Sequence, residues 1–247
     1  MKKRTETQVD CPLEARLELS VRFETPLNIG GYGAPTFVDR PFRRDAHGWP
    51  YIPASTLKGR LRHECERLVQ AMQARGYWVC GSPMPAHMCP NYPPRRGEIC
   101  TVCAIFGSPW EKGKIWPQDL PLSEPEELTR AWERGEDAPL STARFGVSLS
   151  RRRRVAEDAR LFTTELFLPG VPLVFGGAWE GKLTFRQLAL IEAGFGAITA
   201  LGRGKTGGLG WCKVTVESQV QENGKWRVVL EAERAEGRAA WTGNASV

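Results

Sequence analysis

Four of the seven cysteines of the chain fall within one short stretch: Cys80, Cys89, Cys100 and Cys103. Cys100 and Cys103 have the two-residue spacing with which a pair of thiolates binds one metal ion, and Cys80 and Cys89 can complete a tetrahedral set. The proline-rich segments between them cannot form regular structure or bury a core, so a bound metal is what would order this stretch. We therefore predict a structural zinc site, closed to water because four protein ligands fill it.

Two other interpretations of these cysteines stay open. His87 lies among them and would replace Cys80 or Cys89 as a ligand if either does not bind. The Cys-x-x-Cys pair can also be a thioredoxin-like redox motif, although that motif is expected at a helix start after a strand. The remaining cysteines are interpreted as isolated packing residues: Cys11, Cys65 and Cys212.

The second stretch that could do chemistry is the glycine loop, residues 202–210, which reads Gly-Arg-Gly-Lys-Thr-Gly-Gly-Leu-Gly. Glycines let a polyanion approach the backbone closely, so the loop points to phosphate. A P-loop is excluded because position 199 is threonine where that pattern needs glycine. A dinucleotide fingerprint fits Gly202, Gly204 and Gly207 in spacing but follows a helix and precedes a strand, the reverse of its required order. The alternative is a mobile glycine turn.

The distribution of charge suggests a nucleic-acid partner. Lys and Arg number 34 against 28 Asp and Glu, a net charge of +6, and the arginines cluster at positions 40–62 and 144–160. An acidic segment from Asp119 to Asp137 separates these clusters and is predicted to be a solvated insertion. Each cluster alone could equally be solvated surface. No stretch approaches the roughly 18 apolar residues of a membrane span, so we expect a cytoplasmic protein without a membrane partner.

Periodicity predicts the elements that position these residues. Strict alternation from Leu17 to Phe23 predicts a half-buried strand, and helical spacing after an N-cap at Ser55 predicts a helix that ends at Gly76. Its first turns carry Lys58, Arg60 and Arg62, where exposed N–H groups favour an anion.

Two strands around the Pro-Gly turn at 169–170, a helix capped by Thr184, a strand over 209–216 and another over 226–230 complete the pattern. This order predicts an α+β, ferredoxin-like (RRM-like) sheet with long insertions. The last dozen residues are predicted to be frayed.

Five segments taken together resemble the RAMP superfamily, the repeat-associated proteins of CRISPR systems. They are Pro26-Leu-Asn-Ile-Gly-Gly, Val38-Asp-Arg-Pro-Phe-Arg-Arg-Asp, Pro50-Tyr-Ile-Pro-Ala-Ser-Thr-Leu-Lys-Gly-Arg-Leu-Arg, Cys100-Thr-Val-Cys-Ala-Ile-Phe-Gly-Ser and the glycine loop. They occur in order over most of the chain, with the nearest likeness to the backbone subunit of type III effector complexes. In that family several copies polymerise along a guide RNA, which pairs with target RNA.

The resemblance implies one RAMP domain over residues 1–247. Its ferredoxin-like core would comprise 12–76 and 160–216. The insertions would be a zinc loop at 77–110 and an acidic insertion with a basic thumb hairpin at 118–160, and 217–247 would form a C-terminal strand and tail.

The resemblance also implies roles for individual residues. The guide phosphates would be held by cations and glycines of the helix and the glycine loop: Lys58, Arg60, Arg62, Gly202, Arg203, Gly204, Lys205, Gly207 and Gly208. The thumb, with Arg144, Arg151 and Arg152, would wedge apart the guide–target duplex. Asp39 would be the catalytic residue, with magnesium or another divalent ion.

Two departures from the family pattern bear on Asp39. Ala54 replaces the usual glycine of the segment before the helix, and Pro35 lies between Gly31 and Asp39. Asp45 is the rival acid, but its place before Ala46-His47-Gly48 is typical of a turn aspartate.

The sequence therefore predicts a guide-RNA-binding backbone subunit that cleaves complementary target RNA at regular intervals. Its partners would be guide RNA, target RNA, other copies of itself and other effector subunits. One alternative is a non-cleaving RAMP subunit. The other is a guide-RNA-processing endoribonuclease, which would depend on His47, His63 or His87 for acid–base chemistry.

Overall fold

The computed structural model of the protein describes residues 10–31, 38–72, 77–123, 141–167 and 173–242, together with Glu126 and Arg130. Its helices and strands are, in chain order, β1 (Leu13–Phe23), β2 (Tyr51–Ile52), α1 (Ala54–Met72), α2 (Cys103–Phe106), β3 (Ile115–Trp116), β4 (Leu120–Pro121), β5 (Ser141–Leu149), β6 (Ala156–Phe167), β7 (Leu173–Leu183), α3 (Phe185–Gly196), β8 (Cys212–Glu222), β9 (Lys225–Val228) and α4 (Glu231–Thr242). Some sequence predictions fall outside these residues: Pro35, the helix end at Gly76, most of the acidic insertion and the Pro-Gly turn at 169–170.

The central sheet has five antiparallel strands in the order β3-β7-β1-β8-β9. β1 lies in the middle, with Leu13 opposite Leu183 of β7 and Phe23 opposite Cys212 of β8. The chain forms two interlocking strand–helix–strand units. Strands β1 and β3, connected through α1, lie on either side of β7, and strands β7 and β8, connected through α3, lie on either side of β1. This arrangement is ferredoxin-like and confirms the predicted α+β fold.

The core lies between one face of this sheet and the helices α1 and α3. The inward side chains of β1 alternate with polar ones, as a strand with one buried face requires, so Leu17, Leu19 and Val21 are almost fully buried. The two helices approach closely at Gly194, where an added Cβ would lie 2.7 Å from the Cys65 sulphur. The packing thus fixes α1 on the sheet and turns its remaining sides outward.

Both predicted helix caps can be compared with the structure. Thr184 is confirmed: its hydroxyl accepts from Gln187 N, and the Gln187 side chain completes a capping box. The cap at Ser55 is wrong, because α1 begins at Ala54 and Ser55 already lies inside the helix. The Pro53 carbonyl accepts from Thr56 N, and the Asp119 carboxylate accepts from Ala54 N at 2.6 Å. An acid of the chain itself therefore occupies the N-terminus that we expected to bind an anion.

The C-terminal prediction of frayed chain is also wrong up to residue 242. Helix α4 packs on α3, with Trp241 buried and its indole N–H donating to Arg186 O. Gly237 permits this contact, since an added Cβ would lie 2.7 Å from Phe185 O. The helix is missed from sequence because it is rich in Glu, Arg and Ala, and Trp241 is its one large apolar side chain.

The hairpin of β5 and β6 forms a sheet of its own, and β2 pairs with β4. Chain segments around residues 27–31 and 40–44 join the base of the hairpin to the core: Leu27 N donates to Phe167 O, and Arg40 N donates to Thr163 O. Among the described residues, no helix combines the length and apolar character that crossing a membrane requires.

Candidate nucleic-acid interface and metal centre

A cleft of about 350 Å³ separates α1 from the glycine loop, and we call it the helix cleft. The wall from α1 has residues three, four and seven positions apart, which share one helix face: Thr56, Gly59, Arg60 and His63. The opposite wall comes from Gly202, Arg203 and Lys205. The positive charges of Arg60, Arg203 and Lys205 therefore line the cleft from both walls, and the described lining contains no carboxylate.

Arg60 is held in this wall by a buried acid. The Glu64 carboxylate is almost fully buried and forms ion pairs of 2.8 Å with both Arg60 and Arg67. A buried carboxylate must be paired, so Glu64 fixes the Arg60 guanidinium in place while about a quarter of the Arg60 side chain stays exposed. This arrangement presents a preoriented cation to the cleft.

The glycine loop is held by its own backbone. Arg203 N donates to Asn28 O and Gly210 N donates to Pro26 O. Gly202 and Gly210 adopt φ of +89° and +71°, and added Cβ atoms would lie 2.4 Å from Asn28 O and 1.9 Å from Leu201 O. Only glycine fits these positions, so the loop is fastened to residues 26–28 rather than projecting as a free turn.

Gly207 differs from those glycines. It has no left-handed φ, and an added Cβ would meet nothing within 4 Å. The fold does not require glycine there, so the position is free for a close approach of a ligand to the backbone.

A second cleft, of about 290 Å³, lies between the glycine loop and the β5–β6 hairpin, and we call it the hairpin cleft. Arg40 and Arg144 line it, and the Arg40 guanidinium lies 3.9 Å from the centre of the Phe162 ring. Arg203 lines both clefts. A positively charged surface therefore extends from α1 past the glycine loop to the hairpin.

The hairpin has a second, apolar character. Side chains of strands alternate between faces, and one side of this hairpin exposes large apolar groups: Phe145, Val147, Leu149 and Leu161. Phe145 and Leu161 are each 69% exposed, which is unusual for side chains of that size. Arg151 and Arg152 are exposed at the tip, between the two strands.

Asp39 lies at the base of this hairpin and is exposed. Its Oδ2 accepts hydrogen bonds from Thr163 N at 2.7 Å and from the Thr163 hydroxyl at 3.0 Å. These bonds, the backbone one foremost, lower the pKa of Asp39, so the carboxylate is ionised at neutral pH. Thr163 is opposite Phe145 in the hairpin register. Asp39 thus lies beside the apolar face, whereas the next residue, Arg40, reaches the hairpin cleft.

Asp45 is a turn residue, as its sequence context predicts. Its Oδ1 accepts from the backbone N–H groups of His47 and Trp49, both at 2.9 Å. That carboxylate has a structural role within its own turn.

Lys58 and Arg62 lie on the side of α1 turned away from the helix cleft, because they are offset by two positions from the Arg60 stripe. Arg62 donates to Glu66 at 3.0 Å, to Gly107 O at 2.8 Å and to Cys103 Sγ at 3.2 Å. All its nitrogens are engaged within the protein. The structure therefore brings neither Lys58 nor Arg62 to the two clefts, whereas Arg60 of the same predicted set lies in the helix cleft.

The four cysteines do converge. Their sulphur atoms lie within 4.8 Å of one another and all four residues are buried. The Cys80 sulphur is 3.5 Å from that of Cys103 and 3.7 Å from that of Cys100. A tetrahedral zinc with bonds of about 2.3 Å needs sulphurs about 3.8 Å apart, so this set could hold a metal such as zinc.

The surroundings of the cluster suit thiolates. Cys100 N donates to the Cys89 sulphur and Cys103 N donates to the Cys100 sulphur. Hydrogen bonding from the Cys103 side chain lowers the pKa of Cys100. Burial raises the pKa of Cys89, and the hydrogen bond to Cys100 raises that of Cys103, so the metal-free cluster favours one thiolate, at Cys100. Trp78 stacks on Tyr92, which joins the segments that carry Cys80 and Cys89. A shared buried site of four thiols favours metal binding over a redox pair.

The other sequence expectations about cysteine and histidine divide. His87 is exposed in a short 3₁₀ turn and is not part of the sulphur cluster. Cys65 and Cys212 are buried, which confirms their packing role, but Cys11 is exposed and that prediction is wrong.

Sequence reasoning also missed Thr56, Gly59 and His63 as cleft residues. The helical spacing of Thr56 and His63 from Arg60, and of Gly59 from Thr56 and His63, was the signal that could have found them.

The sequence matches the model of the RAMP superfamily over residues 20–213, which is well over half of the chain. That range contains α1, the glycine loop, Asp39 and the four cysteines. The comparison with curated proteins finds no match. RAMP proteins generally bind CRISPR RNA within multi-subunit complexes, and some members of the superfamily are ribonucleases. The chain belongs to the RAMP superfamily, and this membership indicates a CRISPR-associated RNA-binding subunit.

Proposed function

We propose that the protein is a guide-RNA-binding backbone subunit of a type III CRISPR effector complex, acting in the cytoplasm with other copies of itself and other effector subunits. The observation that carries this proposal is the continuous positive surface formed by the helix cleft and the hairpin cleft around Arg203. Phosphates of the guide would lie along it, contacting Arg60, Lys205 and Arg144.

This mode of binding is electrostatic and tolerant of sequence. The cations, threonines and glycines of the two clefts can hold an RNA backbone without reading base edges. The rest of the lining is His63 and apolar side chains such as Phe162. Gly59 and Gly207 leave open space beside the main chain, so a phosphate can come close to the backbone there and reach the cleft cations.

The β5–β6 hairpin would act as the thumb that separates guide from target bases. Its exposed Phe145 and Leu161 can take the place of a stacked base, while Arg144 holds the adjacent backbone on the other face. Arg151 and Arg152 at the tip would contact phosphates of the target or of a neighbouring guide segment.

Asp39 would carry the cleavage of target RNA. Attack of a target 2′-oxygen on the adjacent phosphorus breaks the bond to the 5′-oxygen, leaving a 2′,3′-cyclic phosphate and a 5′-hydroxyl. The ionised Asp39 carboxylate, fixed by Thr163, would orient that 2′-hydroxyl at the base of the thumb. Magnesium or another divalent ion bound at this carboxylate would supply neutralisation of the developing charge.

The test is cleavage by the assembled complex with its guide, complementary RNA and magnesium. Asp39→Asn should leave assembly and target binding intact while the cleavage rate falls roughly 100-fold or more. Asp45→Asn is the matched control, because Asp45 serves its own turn, and it should cut at the wild-type rate. Cuts should fall at regular intervals, since each copy repeats the site.

One observation favours a second candidate, a non-cleaving subunit of the same type of complex. The Asp39 carboxylate already accepts two hydrogen bonds from Thr163, as a purely structural acid would. Cleavage at the wild-type rate by Asp39→Asn would indicate a different catalyst. No cleavage by the wild-type complex would select this non-cleaving function.

We also propose that the metal of the four-cysteine site is zinc with a structural role. The supporting observations are four buried sulphurs at tetrahedral spacing and a loop rich in proline around them. Elemental analysis of purified protein should find one zinc per chain.

A further inference from the structure

Arg62 has the contacts of a residue that serves the cysteine cluster rather than RNA. Its side chain is 17% exposed, and it donates to Cys103 Sγ at 3.2 Å and to Gly107 O at 2.8 Å. Its remaining nitrogen pairs with Glu66 at 3.0 Å. Cys103 and Gly107 are the first residue of α2 and the residue that follows it, so one guanidinium joins α1 to both ends of that short helix.

A metal with four thiolates needs such a partner. A divalent ion with four Cys ligands carries a net charge of −2, and burying that charge is costly without compensating donors. Backbone N–H groups supply partial compensation at Cys89 and Cys100. Among the described residues, Arg62 is the full positive charge that hydrogen-bonds a sulphur of the set.

We infer that Arg62 is an outer-shell residue of the metal centre: it neutralises thiolate charge at Cys103 and fastens α1 to the metal-binding loop. This inference rests on the proposed metal site. Arg62 lies two positions from Arg60, on the other side of the same helix. The metal centre thereby supports the side of α1 opposite to the face that lines the helix cleft, and Arg62 is a positioning residue of the metal site.

The test compares Arg62→Gln with Arg67→Gln in the full-length protein. Both changes remove one arginine from α1, but Arg67 is 63% exposed, and its ion-pair partner within the described residues is Glu64, which keeps Arg60 as a partner. Competition with a chelator should show zinc held about 10-fold to 100-fold more weakly by Arg62→Gln, the usual effect of losing an outer-shell partner. Arg67→Gln should match the wild type.

Two further readouts separate this role from general packing. In cobalt-substituted protein, the thiolate-to-cobalt absorption band should shift in Arg62→Gln and not in Arg67→Gln, because a hydrogen bond and a charge leave one sulphur. Arg62→Lys retains the charge and should recover part of the zinc affinity. Arg62→Lys also supplies the comparison if Arg62→Gln does not fold.

The outcomes distinguish the inference from its premise. Wild-type protein that purifies without metal and does not take up zinc or cobalt overturns the metal site itself. The other outcome is wild-type protein that holds one zinc while Arg62→Gln and Arg62→Lys release zinc like Arg67→Gln and keep the wild-type cobalt spectrum. This result overturns the role of Arg62 alone.

Discussion

The cysteine loop, residues 77–107, and the glycine loop flank α1 on opposite sides, and each is ordered by a different means. The cysteine loop is organised by side chains: four sulphurs converge inside it and Arg62 links them to α1. The glycine loop is organised by its backbone, through hydrogen bonds to residues 26–28 and left-handed glycines. Irregular chain can therefore be fixed either at one shared centre or at many separate points.

This difference determines how each loop should respond to change. Metal binding supplies a free energy of about 10–16 kcal/mol in small zinc domains, concentrated in one site, so loss of that site disorders everything it organises. The glycine loop distributes its order over several positions, so each glycine should have its own effect, set by what surrounds it. The two loops also act on different faces of α1, one structural and one that faces the ligand.

The largest expected effect is removal of the metal centre. Cys100→Ser with Cys103→Ser should abolish metal binding and disorder residues 77–107, because the free energy of metal binding is lost from a proline-rich segment with little regular structure. Elemental analysis and amide hydrogen exchange would measure both results. Cys11→Ser, at an exposed thiol outside the cluster, is the control and should change neither.

A metal-free double variant with native exchange protection over the cysteine loop would remove the distinction between the two loops. It would mean that packing around Trp78 and Tyr92 is enough to order this segment.

The next effect concerns a glycine that the backbone demands. Gly210→Ala places a Cβ 1.9 Å from Leu201 O at φ +71°, so both a clash and left-handed strain arise. We expect a loss of at least about 2 kcal/mol in the free energy of unfolding, measured with denaturant. Gly224→Ala has the similar φ of +75° but open space, and should lose only about 1 kcal/mol. Equal losses at the two sites would show that the contact with Leu201 is unimportant.

The same contrast explains what sequence could and could not reveal. The four cysteines were identifiable because metal ligation is encoded in residue type and spacing, and the fold was identifiable from alternation such as Leu17 to Phe23. The sequence could not place Arg62, because its charge says nothing of which side of α1 it occupies. That side depends on how α1 packs, a tertiary property.

Two other errors have the same origin. The cap predicted at Ser55 is wrong where Asp119, an exposed acid from a distant part of the chain, accepts from Ala54 N, and Trp241 packs where sequence suggested frayed chain. Each contact joins residues far apart in sequence, and local pattern does not encode such pairs.

The two faces of α1 should differ in the salt dependence of RNA binding. Arg60→Gln with Lys205→Gln removes two cations of the helix cleft and should reduce the slope of log affinity against log salt by about 1.4, or about 0.7 for each single-strand phosphate contact. Lys58→Gln removes a cation from the opposite face and should leave the slope unchanged. A slope that drops only in Lys58→Gln would place the guide on the face of α1 opposite to the helix cleft.

The smallest expected effect is the most specific. Gly59 lies inside α1 with an ordinary helical φ and open space where its Cβ would be, so the fold alone favours alanine there by about 1 kcal/mol. Gly59→Ala should therefore raise the free energy of unfolding by about that amount. If a guide phosphate approaches the helix at this point, the same change should also weaken guide binding several-fold. Gly196→Ala, at the end of α3 with equal open space, is the matched control and should leave binding unchanged. A stabilised Gly59→Ala that binds guide RNA like the wild type would mean that nothing approaches α1 at the helix cleft, and the guide would then have to be placed in the hairpin cleft alone.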